Sequence, residues 1–348
     1  MPTKNILVVG GAGYIGSHMV DYLLQAGYTP IVLDNLSAGH ADAVLSAKLI
    51  IGDMADKSLL NAIFAEHSFL AVMHFASFIQ VGESVQDPLK YYANNVAATI
   101  NLLQAMLQWQ VNKFIFSSTA AVYGEPQYTP IDENHPLAPI NPYGHSKRMV
   151  EQMLADFAKA YDLRYMALRY FNAAGAHPEG KLAERHDPET HLIPLILQAA
   201  NGQRKSITVY GRDYPTLDGT CVRDYIHISD LCAAHLLALE ALCAGKECAV
   251  YNLGTGQGYS VQQVLDVVRE VTQQKFLVVE GERRAGDPAV LVADPRRAMH
   301  ELQWQPRYSD LRTIVEHAWR ADRSAQDCCL EENTTRSNQG SVTDQQDD

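Results

Sequence analysis

The stretch Gly10-Gly11-Ala12-Gly13-Tyr14-Ile15-Gly16 constrains this chain more than any other. It follows the apolar run Ile6-Leu7-Val8-Val9 directly and opens a helical pattern at Ser17. Gly10 permits the tight turn out of a strand, and Gly13 lets the backbone approach a pyrophosphate. Gly16 allows helix and strand to pack closely, while the helix N-terminus faces the anion. Eighteen residues beyond Gly16 stands an acid, Asp34, at the end of the second apolar run. A carboxylate there accepts hydrogen bonds from an adenosine ribose and repels a 2′-phosphate. No Arg or Lys occurs between Asp34 and Lys48, so NAD is expected rather than NADP. Asn35, and Asp53 with Met54 after the third run, are placed to meet the adenine end.

Such a loop implies a sheet with crossover helices, and the first half of the chain alternates accordingly. Strands are predicted over 5–9, 30–33, 48–51, 71–75, 113–117 and 164–168, and helices over 17–26, 57–66, 91–109 and 143–161. The expected fold is α/β, a Rossmann-type doubly wound parallel sheet with a smaller C-terminal α/β substrate-binding domain. Residues 1–174 are assigned to the dinucleotide domain, with segments around 225–253 returning to it. Residues 175–323 are mainly substrate-binding, and 324–348 form a polar tail of disorder-like composition. At 348 residues with 47% hydrophobic content, the chain can bury a large core without staples. Its 28 basic and 40 acidic residues leave a net charge of −12, which argues against nucleic acid as a partner. No apolar run approaches the roughly 20 residues of a membrane span, and the N-terminus has no room for a signal peptide. Six scattered cysteines without Cys-x-x-Cys spacing predict no zinc ribbon and a reducing, cytoplasmic setting. Cys232-x-x-His235 lies on an apolar helical stretch and is read as a core pair, so no metal is expected.

Tyr143-Gly144-His145-Ser146-Lys147 puts a phenol and an ammonium on one helical face. A phenol of pKa about 10 is a poor base at neutral pH, and bringing it to about 7 requires roughly 4 kcal/mol. The neighbouring Lys147 and a positive nicotinamide are expected to supply this between them. Upstream, Thr119 lies just past the carboxyl end of the fifth strand, where a doubly wound sheet gathers its ligand residues. Its hydroxyl can bridge a substrate oxygen and the phenol.

The glycine spacing with Thr119, Tyr143 and Lys147 resembles the extended short-chain dehydrogenase/reductase superfamily. Longer runs are similar to the UDP-glucose 4-epimerase family, including Val81-Gly82-Glu83-Ser84, Tyr92-Ala93-Asn94-Asn95-Val96 and Arg169-Tyr170-Phe171-Asn172. So are residues 218–227 and Arg283-Arg284-Ala285-Gly286-Asp287. The resemblance spans about residues 5–320. It implies transient NAD-mediated oxidation at C4 of a UDP-hexose and return of the hydride to the opposite face of the sugar. It further implies that Tyr14, Ile15, Phe75, Ala76, Asn94 and Phe171 line the cofactor. Arg223, Arg284 and Asn172 would meet the diphosphate or sugar, Tyr210 the uracil and Asp287 a uridine hydroxyl, with His191 and Leu192 nearby. Leu291, shorter than a tyrosine, would leave room at C2 for weak N-acetyl-hexosamine activity. A homodimer packed through the helices of 91–109 and 143–161 is implied as well. The family more often has Ser at position 119, and many members carry Lys where Ile79 stands. A 4,6-dehydratase needs an Asp-Glu pair where this chain has Ala120-Ala121. A uronate epimerase is a further sibling, and a non-catalytic NAD sensor would usually lack the Tyr or the Lys.

Overall fold

Strand β1 (Asn5–Val9) runs near the middle of a seven-stranded parallel sheet. Ile6 and Val8 face one apolar layer while Leu7 and Val9 face the other. A strand covered on both faces has no solvent side on which to place polar residues, hence the unbroken Ile-Leu-Val-Val. The computed structural model describes residues 3–284, 286–308 and 310–323, so the tail expected at 324–348 lies outside the described residues.

Along the chain follow β2 (Thr29–Asp34), β3 (Lys48–Ile51), β4 (Ala71–His74), β5 (Lys113–Thr119), β6 (Arg164–Tyr170) and β7 (Asn172–Ala174). Then come β8 (Ser206–Tyr210), β9 (Val222–His227), β10 (Ala249–Leu253), β11 (Gly258–Ser260), β12 (Leu277–Gly281) and β13 (Val290–Leu291). The main sheet has the order β10-β6-β5-β4-β1-β2-β3, which is the doubly wound arrangement expected. The helices are α1 (Tyr14–Gln25), α2 (Lys57–Glu66), α3 (Val81–Gln86), α4 (Pro88–Tyr91) and α5 (Thr99–Gln108). After them come α6 (Pro142–Tyr161), α7 (Leu192–Ala200), α8 (Ile228–Cys243), α9 (Val261–Thr272) and α10 (Arg296–Glu301), and a last helical run covers 311–323. Met19, Val20 and Leu23 of α1 and Leu231, Ala234 and Leu239 of α8 cover one face. Leu60 of α2, Leu102 and Met106 of α5, and Val150 and Leu154 of α6 cover the other. Each such fully buried aliphatic side chain contributes roughly 1.5–3 kcal/mol.

Several boundaries differ from expectation, and β5 and β6 each run two residues farther, to Thr119 and Tyr170. Helix α1 starts at Tyr14 rather than Ser17, because Gly13 already serves as its extended N-cap. The single helix expected over 91–109 is broken: α4 ends at Tyr91, Tyr92–Ala98 winds as a π-helix, and only then does α5 begin. Wide turns of this kind re-aim side chains, and here they do so at Asn94 and Asn95. Residues 172–174 and 222–227 pair with each other as β7 and β9, in a smaller sheet with β11 and β13. The chain therefore rejoins the main sheet at α8 and β10, not at 225. Beside these, β8 and β12 form a two-stranded ribbon around a third apolar cluster. Among the described residues, no helix is long and apolar enough to cross a membrane.

Candidate active site

A cavity of about 510 Å³ opens at the carboxyl ends of β1, β2, β4 and β5, where the strand order reverses. Ligands of open α/β sheets bind in such crevices. Gly10, Gly13, Tyr14, Ile15 and Gly16 line it, as do Asp34, Asn35, Asp53 and Met54. The glycine loop is built for close approach. Gly10 has φ +81°, and a Cβ there would lie 2.4 Å from the backbone N of Ala76. A Cβ on Gly16 would collide with the Gly10 carbonyl at 2.1 Å. At Gly13 the space is open, the nearest atom being the Gly10 O at 3.6 Å, so a side chain would occupy room left for a ligand. The first turn of α1 carries no acid, which leaves its amides to an anion. Asp34 is held rigidly: Oδ2 accepts from Ala12 N at 2.9 Å and Oδ1 from Leu36 N at 2.8 Å. Its remaining lone pairs suit ribose hydroxyls. Asp53 accepts from Asn35 Nδ2 at 2.9 Å. These residues fit a dinucleotide.

Farther along the cavity, Phe75, Ala76 and Asn94 meet Thr119, Tyr143, Lys147, Phe171 and Asn172. Helix α6 starts on an Asn141 cap whose side chain accepts from Gly144 N, and this sets Tyr143 in the first turn. Lys147 Nζ donates to Ser77 Oγ at 2.7 Å and to the Ser117 carbonyl at 2.8 Å. It lies 6.0 Å from the Tyr143 ring centroid. Burial pushes the Tyr143 phenol above its ordinary value, with a hydrogen bond from Thr119 working the other way. Burial brings Lys147 down to about 7, against the pull of Glu151. Desolvation outweighs the Thr119 hydrogen bond at the phenol and the Glu151 charge at the ammonium.

A pH effect follows. The unfolded lysine titrates near 10.5 and the folded one at about 7, so within that window the unfolded chain binds the extra proton. Stability from this group rises with pH between the two values. Lys147→Met should remove that rise. Relative to wild type, the cofactor-free variant should have a more favourable urea midpoint at pH 6 than at pH 10. A difference independent of pH would show that Lys147 is not desolvated in this way.

A family model described as the NAD dependent epimerase/dehydratase family matches residues 6–254. The chain belongs to this family. It is 51% identical over 314 residues to the UDP-glucose 4-epimerase of Halalkalibacterium halodurans, covering 90% of this chain and 94% of that one. The structure is similar to that of UDP-glucose 4-epimerase from Brucella ovis in complex with NAD, with TM-score 0.89, 49% identity, and 90% and 97% of the two chains covered. It is also similar to the Bifidobacterium longum enzyme in complex with NAD+ and UDP, with TM-score 0.88, 38% identity, and 92% and 98% covered.

In this family member, the residues expected to meet a nucleotide sugar form two groups. Asn172 and His191 line the cavity. Asn172 is aimed by a bond from its Nδ2 to the Asp224 carbonyl at 2.9 Å. The others lie outside the cavity wall, on the smaller sheet, the β8–β12 ribbon, α7 and the 282–289 loop. Arg223 donates to the Val222 and Pro288 carbonyls and stands 3.4 Å from Asp287, so in this structure it braces the 287–288 turn. The Arg284 guanidinium stacks 4.0 Å from the centre of the Tyr210 ring and covers one of its faces. Leu291 pairs with Arg223 across β13 and β9 and packs on the cluster containing Phe171. Leu192 does not line the cavity; it packs on the apolar cluster below α7.

The residues missed are those that hold others in place. Ser77 anchors Lys147. Asn95 accepts from Phe78 N and donates to Phe78 O and Ser146 Oγ, tying the cavity wall to α6. Glu151 receives Arg169 through two bonds, at 2.9 and 2.6 Å, and Ser118 Oγ at 2.6 Å. His235 is the core residue expected, its ring bonded to Leu231 O and Ser117 Oγ. Glu184, His186, Glu189 and His191 come together beside the cavity, with ligand atoms all within 4.8 Å of one another. Their signal was present as Glu-x-His-x-x-Glu-x-His in a His- and Pro-rich loop.

Proposed function

We propose that the protein interconverts UDP-glucose and UDP-galactose by inverting C4 of the hexose, with NAD as its cofactor. The observation that carries this reading is the convergence of Thr119, Tyr143 and Lys147 on the cavity that also holds the glycine loop and Asp34. Similarity over nine-tenths of the chain to proteins named UDP-glucose 4-epimerase supports the substrate.

NAD, when bound, takes up the hydrogen from C4 and gives it back, so the sugar leaves with no net oxidation. Gly10, Gly13 and the N-terminus of α1 would carry the pyrophosphate, Asp34 the adenosine ribose, and Asn35, Asp53 and Met54 the adenine end. Tyr14, Ile15, Gly16, Phe75, Ala76, Asn94 and Phe171 would complete the wall. Tyr143 takes the 4-hydroxyl proton and later returns it, acting as general base and then general acid. Thr119 aligns that oxygen with the phenol. Lys147, locked by Ser77 and the Ser117 carbonyl, adds positive charge that lowers the phenol once the cofactor's own charge is beside it. Inversion requires the hexose to present both faces of C4 to the same bound nicotinamide, while its 4-oxygen stays within reach of Tyr143. Asn172, Arg223 and Arg284 would hold the diphosphate, Tyr210 the uracil through its uncovered face, and Asp287 a uridine hydroxyl. His191 would border the sugar end, and Leu291 its C2 substituent; Leu192, packed on the apolar cluster of α7, has no part in it.

A homodimer is part of this reading. Val85, Leu89 and Met149 are 63%, 77% and 45% exposed on α3, α4 and α6, an apolar surface suited to a second copy. The described cysteines are free thiols, which supports a reducing, cytoplasmic setting.

Purified protein given UDP-galactose and no added cofactor should form UDP-glucose. Strict dependence on added NAD+, with stoichiometric NADH release, would instead mean a dehydrogenase. In parallel, UDP-N-acetylgalactosamine should turn over more slowly, within the roughly 10- to 200-fold that one steric difference at Leu291 can impose.

A further inference from the structure

The loop before α7 places four side chains of metal-ligand type around one point. Glu184 Oε1 lies 3.1 Å from His186 Nδ1 and 2.8 Å from His191 Nδ1. Glu189 places Oε2 3.6 Å from His186 Nδ1 and Oε1 3.1 Å from His191 Nδ1. A tetrahedral ion with bonds of about 2.0–2.2 Å has ligand–ligand edges of about 3.3–3.6 Å, close to these separations. Both imidazoles turn the same nitrogen inward, and both carboxylates are more than nine-tenths buried, with side-chain exposures of 6% and 5%. Ion pairing alone leaves the group incomplete. Glu184 Oε1 and His186 Nδ1 are buried yet make no hydrogen bond, because their close approach is misaligned. An unmet buried polar atom costs about 1–3 kcal/mol, which a bound cation would relieve.

We propose that Glu184, His186, Glu189 and His191 form a structural Zn²⁺ site that fixes the loop walling the dinucleotide cavity. Two carboxylates and two neutral imidazoles balance a dication, and mixed nitrogen and oxygen donors favour zinc over magnesium or calcium, which prefer oxygen alone. Four protein ligands close the coordination sphere, so the ion organises structure and activates no water. Its position gives it consequence. Glu184, His186 and His191 line the cavity, and the His186 ring meets Tyr14 edge-on at 6.2 Å. From the other side, Arg185 clamps Asp42 through two bonds of 2.9 Å and its carbonyl meets His40 Nε2 at 3.0 Å. All four ligands fall within eight residues, so the ion would rigidify this one segment against the glycine loop. This goes beyond the proposed epimerase activity and does not depend on it.

The test uses untagged full-length protein produced with zinc in the medium and dialysed against metal-free buffer. Elemental analysis should find one zinc per chain, and His186→Ala with Glu189→Gln should lose it. Wild type stripped with a chelator and reloaded with Co²⁺ should show the intense visible bands of a tetrahedral site. Folded wild type that retains no zinc after loading and gives no such bands overturns the proposal. So does full zinc content in the folded double variant, since the ion would then sit elsewhere. Should the double variant fail to fold, the wild-type zinc content and Co²⁺ spectrum still decide. None of these readouts uses turnover, so failure here is distinguishable from failure of the epimerase reading.

Discussion

Tyr143→Phe is expected to keep its dinucleotide and lose turnover by at least about 10², the lower end for removing a positioned acid/base. The ring stays, so the packing that makes Tyr143 only 8% exposed is preserved. What disappears is the oxygen that must both take and return the proton. The loss should fall on kcat rather than on KM, because the phenol matters most when the proton moves. Near-normal turnover would mean that another group carries the proton, and Thr119 would be the residue to examine next. The energetics explain why the phenol alone is insufficient. Burial opposes its ionisation, and Lys147 gives hydrogen bonds to Ser77 and the Ser117 carbonyl. Only with a second positive charge in the cavity does the phenolate become accessible. This couples base strength to cofactor occupancy, a sensible arrangement for an enzyme that should not deprotonate sugars without a hydrogen acceptor in place.

Glu151→Ala is expected to cost about 3–5 kcal/mol, the range found when one partner of a buried ion pair is removed. Glu151 and Arg169 are both 3% exposed, and their two bonds join α6 to β6 directly beneath the catalytic cluster. Without the carboxylate the guanidinium stays buried with its charge uncompensated, bonded only to the Tyr123 hydroxyl at 3.0 Å. Ser118 loses its acceptor too. The urea midpoint should fall with an unchanged slope, and turnover should fall with it because α6 carries Tyr143 and Lys147. A loss under about 1 kcal/mol would show that α6 is held by its apolar face alone.

Much of this protein was legible in its residues because the signals are local. A glycine loop between an apolar strand and a helix specifies its own backbone, since only glycine tolerates φ +81° with neighbouring backbone 2.4 Å from a would-be Cβ. The strands over 5–9 and 48–51 and the helix over 57–66 end where predicted, because period and capping residues lie within each element. Tyr143 and Lys147 share a helical face by spacing alone. Thr119 belongs with them because the C-terminal ends of adjacent parallel strands meet at one edge.

The remainder depended on groups distant in sequence. Ser77 reaches Lys147 across 70 residues and Arg169 reaches Glu151 across 18, and no periodicity encodes such a meeting. The π-turn at Tyr92–Ala98 left no mark in a pattern that reads as one helix, because a single wide turn barely shifts the apolar stripe. Charge balance misled most. Spacing announces that a lysine lies near a phenol, but whether the pair becomes acidic or basic depends on how much water the fold removes, and here burial is the largest influence on both. Likewise Glu184, His186, Glu189 and His191 are close in sequence, yet only the loop's path turns their four ligand atoms onto one point. The sequence by itself determined the sheet, the glycine loop and the grouping of Thr119, Tyr143 and Lys147, because these rest on backbone conformation and side-chain period. The tertiary structure alone decided ionisation, bracing and the convergent loop, because desolvation and long-range contact exist only once the chain has folded.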